Sequence, residues 1–214
     1  CLEKGAEYIH WDEKRKEYAE QTGDVRKGVG MALFSYKTGV WPISLEIAGA
    51  RLSLNQDGSV QLMLGATEIG QGADTVFSQM VAETLHTDME HVHIKTVQDT
   101  DVSPFDTGAY ASRQSFVTGT AVRHCAEILR DKILAYAKTL LPKTDTRELT
   151  LKDNWIWAGD EQAISLAALA EESYYSLTNS SVLTAEVSEQ VKKNTIATGC
   201  CFAEVEVDIK LGKI

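Results

Sequence analysis

Positive charge is scarce in this sequence. Its 31 Asp and Glu face only 21 Lys and Arg, a formal charge of −10. Even the densest basic stretch, residues 12–16, mixes acids with bases and reads as a solvated helix face. An acidic surface without a basic patch works against nucleic acid and anionic lipid as partners. No apolar run approaches the ~20 residues of a membrane span, so a soluble protein is expected. Cysteine is also sparse: Cys1, Cys125, Cys200 and Cys201 make neither a zinc spacing nor a disulfide framework. Reduced thiols in a cytoplasmic protein are therefore expected. His91 and His93 form a His-x-His pair near His86 but lack a third ligand at a convincing spacing, so no metal ligands are assigned. No Walker pattern and no GxGxxG fingerprint is present. The chain opens at Cys1 without initiator Met or targeting pattern, and it is expected to be an internal segment of a longer polypeptide.

What is present suffices for one sizeable core or two small ones: 43% of the 214 residues are hydrophobic. Residues 2–21 have helical spacing, and residues 28–36 read as a buried strand bearing glycines. Thr38-Gly39-Val40-Trp41-Pro42 is a loop by its composition. Alternation over residues 46–55 and 59–65, joined by Asp57-Gly58, predicts a β-hairpin. A helix follows over residues 72–85, with Val76, Met80, Val81 and Leu85 toward one side. Residues 91–97 alternate as a strand, and a polar stretch over residues 98–114 leads to a helix over about residues 118–140 that Pro142 stops. Beyond it come a short hairpin about Asp153-Asn154, a helix capped by Ser165, and a strictly alternating strand over residues 200–209 expected to lack a neighbour. A soft boundary near residues 142–147 divides the chain into subdomains 1–142 and 143–214, the second expected to be only the opening of its subdomain.

Two loops stand out. Gly65-Ala66-Thr67-Glu68-Ile69-Gly70-Gln71-Gly72 enters a helix, with glycines on both sides of Gln71 that let the backbone approach a ligand. Asp106-Thr107-Gly108-Ala109-Tyr110-Ala111-Ser112-Arg113-Gln114-Ser115 combines small residues and hydroxyls with an arginine whose fork matches a phosphate. Each precedes a helix, where unpaired N–H groups favour anions. The residues alone equally suit two ordinary polar turns with capping side chains.

In order along the chain, the segments GVGMALFSYKTGVWPISLE, AGARLSLNQDGSV, GATEIGQGADTVFSQM, DTGAYASRQSFVTGTAV and CCFAEVEVDI resemble the xanthine oxidase family of molybdenum hydroxylases, in particular molybdenum-binding subunits of the xanthine dehydrogenase type. The resemblance implies an α+β fold of the molybdopterin-binding kind, mixed sheets with helices following glycine-rich loops. It implies a parent oxidoreductase that hydroxylates purines or related aza-aromatic rings with water. The cofactor is molybdopterin with molybdenum, extended in bacterial members by a cytosine nucleotide, and no side chain ligates the metal. Gly70, Gln71 and Gly72 then lie near the molybdenum, and Ala111, Ser112, Arg113 and Gln114 hold the pterin and its phosphate. Val40 and Trp41 lie where relatives sandwich a flat substrate. The family's glutamate base matches no residue here: Glu68, Glu83 and Glu204 occupy no matching position, and Glu68, before a glycine loop, is the one alternative carboxylate. Iron–sulfur and FAD subunits or domains and an oligomer are implied, while the segment by itself is expected to be inactive and to lack cofactor. A rival reading is a non-catalytic cofactor or nucleotide-phosphate binding module built on the same loops.

Overall fold

A computed structural model describes residues 1–95, 97–142 and 146–214. In chain order the elements are α1 (Leu2–Ile9), α2 (Trp11–Glu17), β1 (Val25–Thr38), β2 (Ile47–Leu54), β3 (Val60–Leu64), α3 (Ala73–Leu85), β4 (Val92–Ile94), α4 (Gln114–Leu140), β5 (Leu149–Lys152), β6 (Trp155–Ala158), β7 (Glu161–Ser165), α5 (Leu166–Tyr175), β8 (Thr184–Gln190) and β9 (Thr195–Asp208). The mixture of helices with three separate sheets is the α+β architecture expected. Contacts divide the chain into two compact units, residues 1–38 with 195–214, and residues 39–194. The boundary expected near residues 142–147 falls partly outside the described residues.

In the first unit β1 and β9 pair antiparallel over their whole length, from Val25 opposite Asp208 to Thr38 opposite Thr195. The strand over residues 200–209 therefore does not lack a neighbour. Nor is the strand over residues 28–36 buried: Val29 alone is, while Met31, Leu33, Phe34 and Tyr36 are exposed. The apolar alternation marks a two-stranded ribbon, which has too few layers to cover its own faces. The expected first helix is broken at His10, which is left-handed at φ 57° and separates α1 from α2. Trp11 meets Phe202 edge-on at 5.6 Å between ring centres. The Lys14 ammonium and the Tyr18 hydroxyl both reach the Glu204 carboxylate, each at 2.5 Å.

The second unit holds the main core. Its four-stranded sheet runs β4-β3-β2-β8, and a three-stranded sheet runs β5-β6-β7. The hairpin of β2 and β3 forms where the alternation placed it, turning at Gly58 with φ 83°. Leu52, Leu54, Leu62 and Leu64 are buried with Phe77, Val81 and Leu85 of α3 and with Val117, Val122, Leu129 and Ile133 of α4. Each such side chain contributes about 1.5–3 kcal/mol by leaving water. The inward stripe of α3 centres on Phe77, Val81 and Leu85; Val76 and Met80 are only half-buried. Helix α4 begins four residues earlier than the periodicity predicted, at Gln114. It ends at Leu140, before an extended Leu141, as the proline that follows requires. Ser165 caps α5 by accepting from the Ala168 N–H.

Candidate cofactor site

Helices α3 and α4 both start at one end of the second unit, and the loops feeding them converge there. A cleft of about 390 Å³ lies between them, lined among others by Ile69, Gln71, Tyr110, Ser112, Gln114 and Ser115. The Gln71 side-chain N–H donates to the Gln114 side-chain carbonyl across 43 residues of sequence, and both amides also donate to the Thr67 carbonyl, at 3.1 and 3.0 Å. The Ile69 N–H donates to Gln71 Oε1 at 2.7 Å, which fixes the amide's orientation. The structure thus brings Gln71, Ser112 and Gln114 together. Gly70 and Gly72, at φ 101° and 82°, let the chain bend around Gln71 and leave open space where a Cβ would stand.

Glu68 has a local task. Its carboxylate accepts from the N–H groups of Gly70 at 2.6 Å, Gly72 at 3.1 Å and Asp74 at 3.1 Å, filling the start of α3. Desolvation pushes its pKa up, but the backbone N–H groups outweigh it, and the net value falls below the ordinary carboxylate range. A depressed carboxylate fully engaged in capping is a poor general base. The start of α3 already holds an anion of its own.

The start of α4 does not. Ala111 and Ser112 both adopt the left-handed conformation, at φ 47° and 52°, before Arg113 returns to the right-handed region. Among the described residues, the N–H groups of Ala111, Ser112, Gln114 and Ser115 and the hydroxyls of Ser112 and Ser115 have no hydrogen-bond partner. Free N–H groups at a turn before a helix start suit an anion.

The Arg113 fork is spent inward rather than held out for a phosphate. The side chain is fully buried; Nε binds Glu46 Oε2 and Nη1 binds Asp106 Oδ1, both at 2.6 Å. Nη1 also donates to the Gly108 carbonyl at 3.0 Å, and Nη2 to the Ile47 carbonyl at 2.8 Å. Burial alone lowers the guanidinium pKa, but bonding to Glu46 and the nearby Asp106 charge reverse this and raise it. Glu46 gave no sequence signal, lying 67 residues from Arg113, and Asp106, though it opens the same loop, lies 7 residues from Arg113 at no recognisable spacing. Val40 and Trp41 do not line the cleft. Their loop is held beside it: the Gly39 N–H donates to the Ala111 carbonyl at 2.8 Å, the Val40 N–H donates to Glu46 Oε1, and the Trp41 carbonyl accepts from Asn194. Among the described residues, no group of three or more His, Cys, Asp or Glu is arranged to hold a metal ion.

Two loops closing on one cleft beside two helix starts define a cofactor-binding domain with amide, hydroxyl and backbone donors. The profile of the molybdopterin cofactor-binding domain family matches residues 4–214, and the chain belongs to that family. It is 45% identical over its whole length to the putative xanthine dehydrogenase molybdenum-binding subunit XdhA of Escherichia coli, covering 29% of that protein. It is 32% identical to the probable hypoxanthine oxidase XdhD of the same organism, again over the whole chain and over 21% of the relative. The chain thus spans less than a third of the length of these relatives. Two solved structures share the fold: quinoline 2-oxidoreductase from Pseudomonas putida 86 (TM-score 0.79, 20% identity, 97% of this chain and 28% of that one) and the Cu,Mo-CO dehydrogenase (TM-score 0.80, 21% identity, 97% and 28%).

Proposed function

We propose that this chain forms part of the cofactor cradle of a molybdenum hydroxylase of the xanthine dehydrogenase type. The observation that carries the reading is the meeting of Gln71 and Gln114 over one cleft, beside the unpartnered N–H groups at the start of α4. The donor set fits the group: the hydroxyls with free N–H groups suit a phosphate. The amides, with both Gln71 N–H groups spent on Thr67 and Gln114, still offer carbonyl lone pairs and one Gln114 N–H to a pterin edge. When bound, molybdopterin supplies the redox chemistry that hydroxylates a purine or related aza-aromatic ring with oxygen from water. Gln71, between Gly70 and Gly72, would lie near the metal, with its N–H groups held by Thr67 and Gln114. Ala111, Ser112 and Gln114 hold the pterin and its phosphate, with Ser115 alongside and Arg113 acting through its buried fork, since its own N–H donates to the Tyr110 carbonyl. Val40 and Trp41 shape the substrate side. The extended cytosine dinucleotide form is the cofactor proposed, with iron–sulfur and FAD partners carrying electrons away, in the cytoplasm. Residues 1–142 are taken as one subdomain and residues 143–214 as the opening of a second. The general base comes from outside these residues, since Glu68 is committed to capping α3.

The test is molybdenum and pterin analysis of the full-length protein, as wild type and as Ser112→Asp. Aspartate tolerates the left-handed conformation but sets a negative charge against the phosphate. Losing a charge-assisted contact of ~1.5–3 kcal/mol predicts a fall in cofactor occupancy of at least about tenfold. Wild-type protein without molybdopterin, or a variant with undiminished occupancy, sinks the reading.

A further inference from the structure

Apart from the cleft, the most unusual chemistry in the molecule is the ion cluster beneath it. One guanidinium faces two carboxylates, and the side chains of Arg113, Glu46 and Asp106 are at most 1% exposed. The cluster carries one net negative charge, which makes it no place for a phosphate. Fully desolvated charges of this kind are costly to bury and persist only when every partner is satisfied. Here they are, and the partners are informative because they come from two segments, residues 46–47 and residues 106–108.

Glu46 spends its second oxygen on the Val40 N–H, so it holds the Gly39-Val40-Trp41 loop. Asp106 spends its oxygens on the Gly108 N–H at 2.8 Å and the Thr118 hydroxyl at 2.7 Å, so it ties the segment before the Ala111-Ser112 turn to the first turns of α4. Arg113 joins the two carboxylates and adds the carbonyls of Ile47 and Gly108. One further bond, from the Gly39 N–H to the Ala111 carbonyl, runs directly between the two loops.

We infer that Arg113 is a positioning residue: with Glu46 and Asp106 it locks the Gly39–Trp41 loop and the Ala111–Gln114 loop into a single rigid unit, so that the substrate side and the cofactor side of the cleft hold one fixed geometry. The functional importance of that coupling rests on the reading of the two loops given above. The coupling itself is a property of the chain and is measurable without cofactor. A lysine at 113 keeps the charge but has no planar fork to engage both carboxylates and both carbonyls.

Hydrogen exchange read by mass spectrometry on the full-length protein tests this. Asp106 makes no hydrogen bond or ion pair with residues 39–41. Gly39 is bonded directly to Ala111, but Val40 is held by Glu46. Asp106→Asn therefore deprotects the Val40 amide only if the cluster transmits. An increase on the order of tenfold is expected, mid-range for residues in one hydrogen-bond network. Arg113→Lys is expected to deprotect both loops. Exchange that rises only in residues 104–110 for Asp106→Asn, or a lysine variant with wild-type protection, overturns the inference. If Asp106→Asn loosens the whole unit, Thr118→Val removes only the outer hydroxyl of the cluster and is judged by the same two outcomes. Molybdenum content of the same preparations separates the two ideas: coupled exchange in a protein that binds no molybdopterin leaves the positioning role standing and removes the functional reading.

Discussion

At Glu68 the carboxylate accepts from the N–H groups of Gly70, Gly72 and Asp74, and the helix it caps carries Gly72 at its start. Its folded pKa lies below the ordinary value because these N–H groups outweigh desolvation. A depressed carboxylate contributes stability that is fully present above the ordinary carboxylate value and is lost as pH falls through the lower folded value. Thermal unfolding of wild type and Glu68→Gln should therefore differ at neutral pH, with wild type higher, and the gap should close in acid. A gap that is constant with pH removes the charged cap. Sequence carried part of this residue-scale picture. Gln71, Ser112 and Gln114 were legible because glycine-flanked or hydroxyl-rich loops before amphipathic helices advertise themselves locally. The inward turn of Arg113 was not, because it depends on Glu46, 67 residues away. An arginine between Ser112 and Gln114, with Ser115 close by, reads as a phosphate fork until its carboxylate partners are located. Replacing it by alanine would strand two buried carboxylates, so cofactor loss in that variant would report a broken core as much as a missing ligand.

Among the elements, the segment around Asp106 reaches its place because β2 carries Gly49 and Gly65 directly follows β3. The Gly49 N–H donates to the Phe105 carbonyl at 2.7 Å, and a Cβ on Gly49 would meet Pro104 Cβ at 2.8 Å. At Gly65 a Cβ would lie 2.2 Å from the Pro104 carbonyl oxygen and 2.8 Å from the Asp106 N–H nitrogen, both backbone atoms. Backbone yields less readily than a side-chain tip, so Gly65→Ala should cost at the upper end of the overpacking range, about 1–3 kcal/mol, measured by denaturant unfolding. A change within a few tenths of a kcal/mol would mean that residues 104–106 are free to lift. Local pattern was reliable where it arises from one face of a packed element: the hairpin of β2 and β3, the cap at Ser165 and the stop of α4 all followed from it. It was unreliable for β1, where apolar residues line an exposed two-stranded ribbon, and for β9, whose partner lies at the far end of the sequence. Alternation records which residues share a face and is silent on what covers that face.

For the molecule as a whole, coverage decides what the chain does in isolation. It spans 29% of the XdhA subunit and 21% of XdhD, so in proteins of that length most of the chain lies outside the part matched by these residues. Residues 39–194 supply two loops and the cluster beneath them. Binding a cofactor costs an estimated 4–15 kcal/mol in lost translation and rotation, and two loops return only part of that. The net charge of −10 adds long-range repulsion toward an anionic cofactor, screened over about 8 Å at physiological ionic strength. Residues 1–214 produced alone should therefore carry little molybdenum and show no turnover of hypoxanthine or xanthine in a dye-reduction assay. The full-length protein should retain the metal under the same conditions, and raising the salt should narrow the difference only slightly, because missing contacts outweigh charge. Metal analysis of both proteins side by side, with the dye-reduction assay, is the check: stoichiometric molybdenum in the isolated chain would mean that these loops suffice to hold the cofactor, and turnover would mean that the catalytic base lies within these residues.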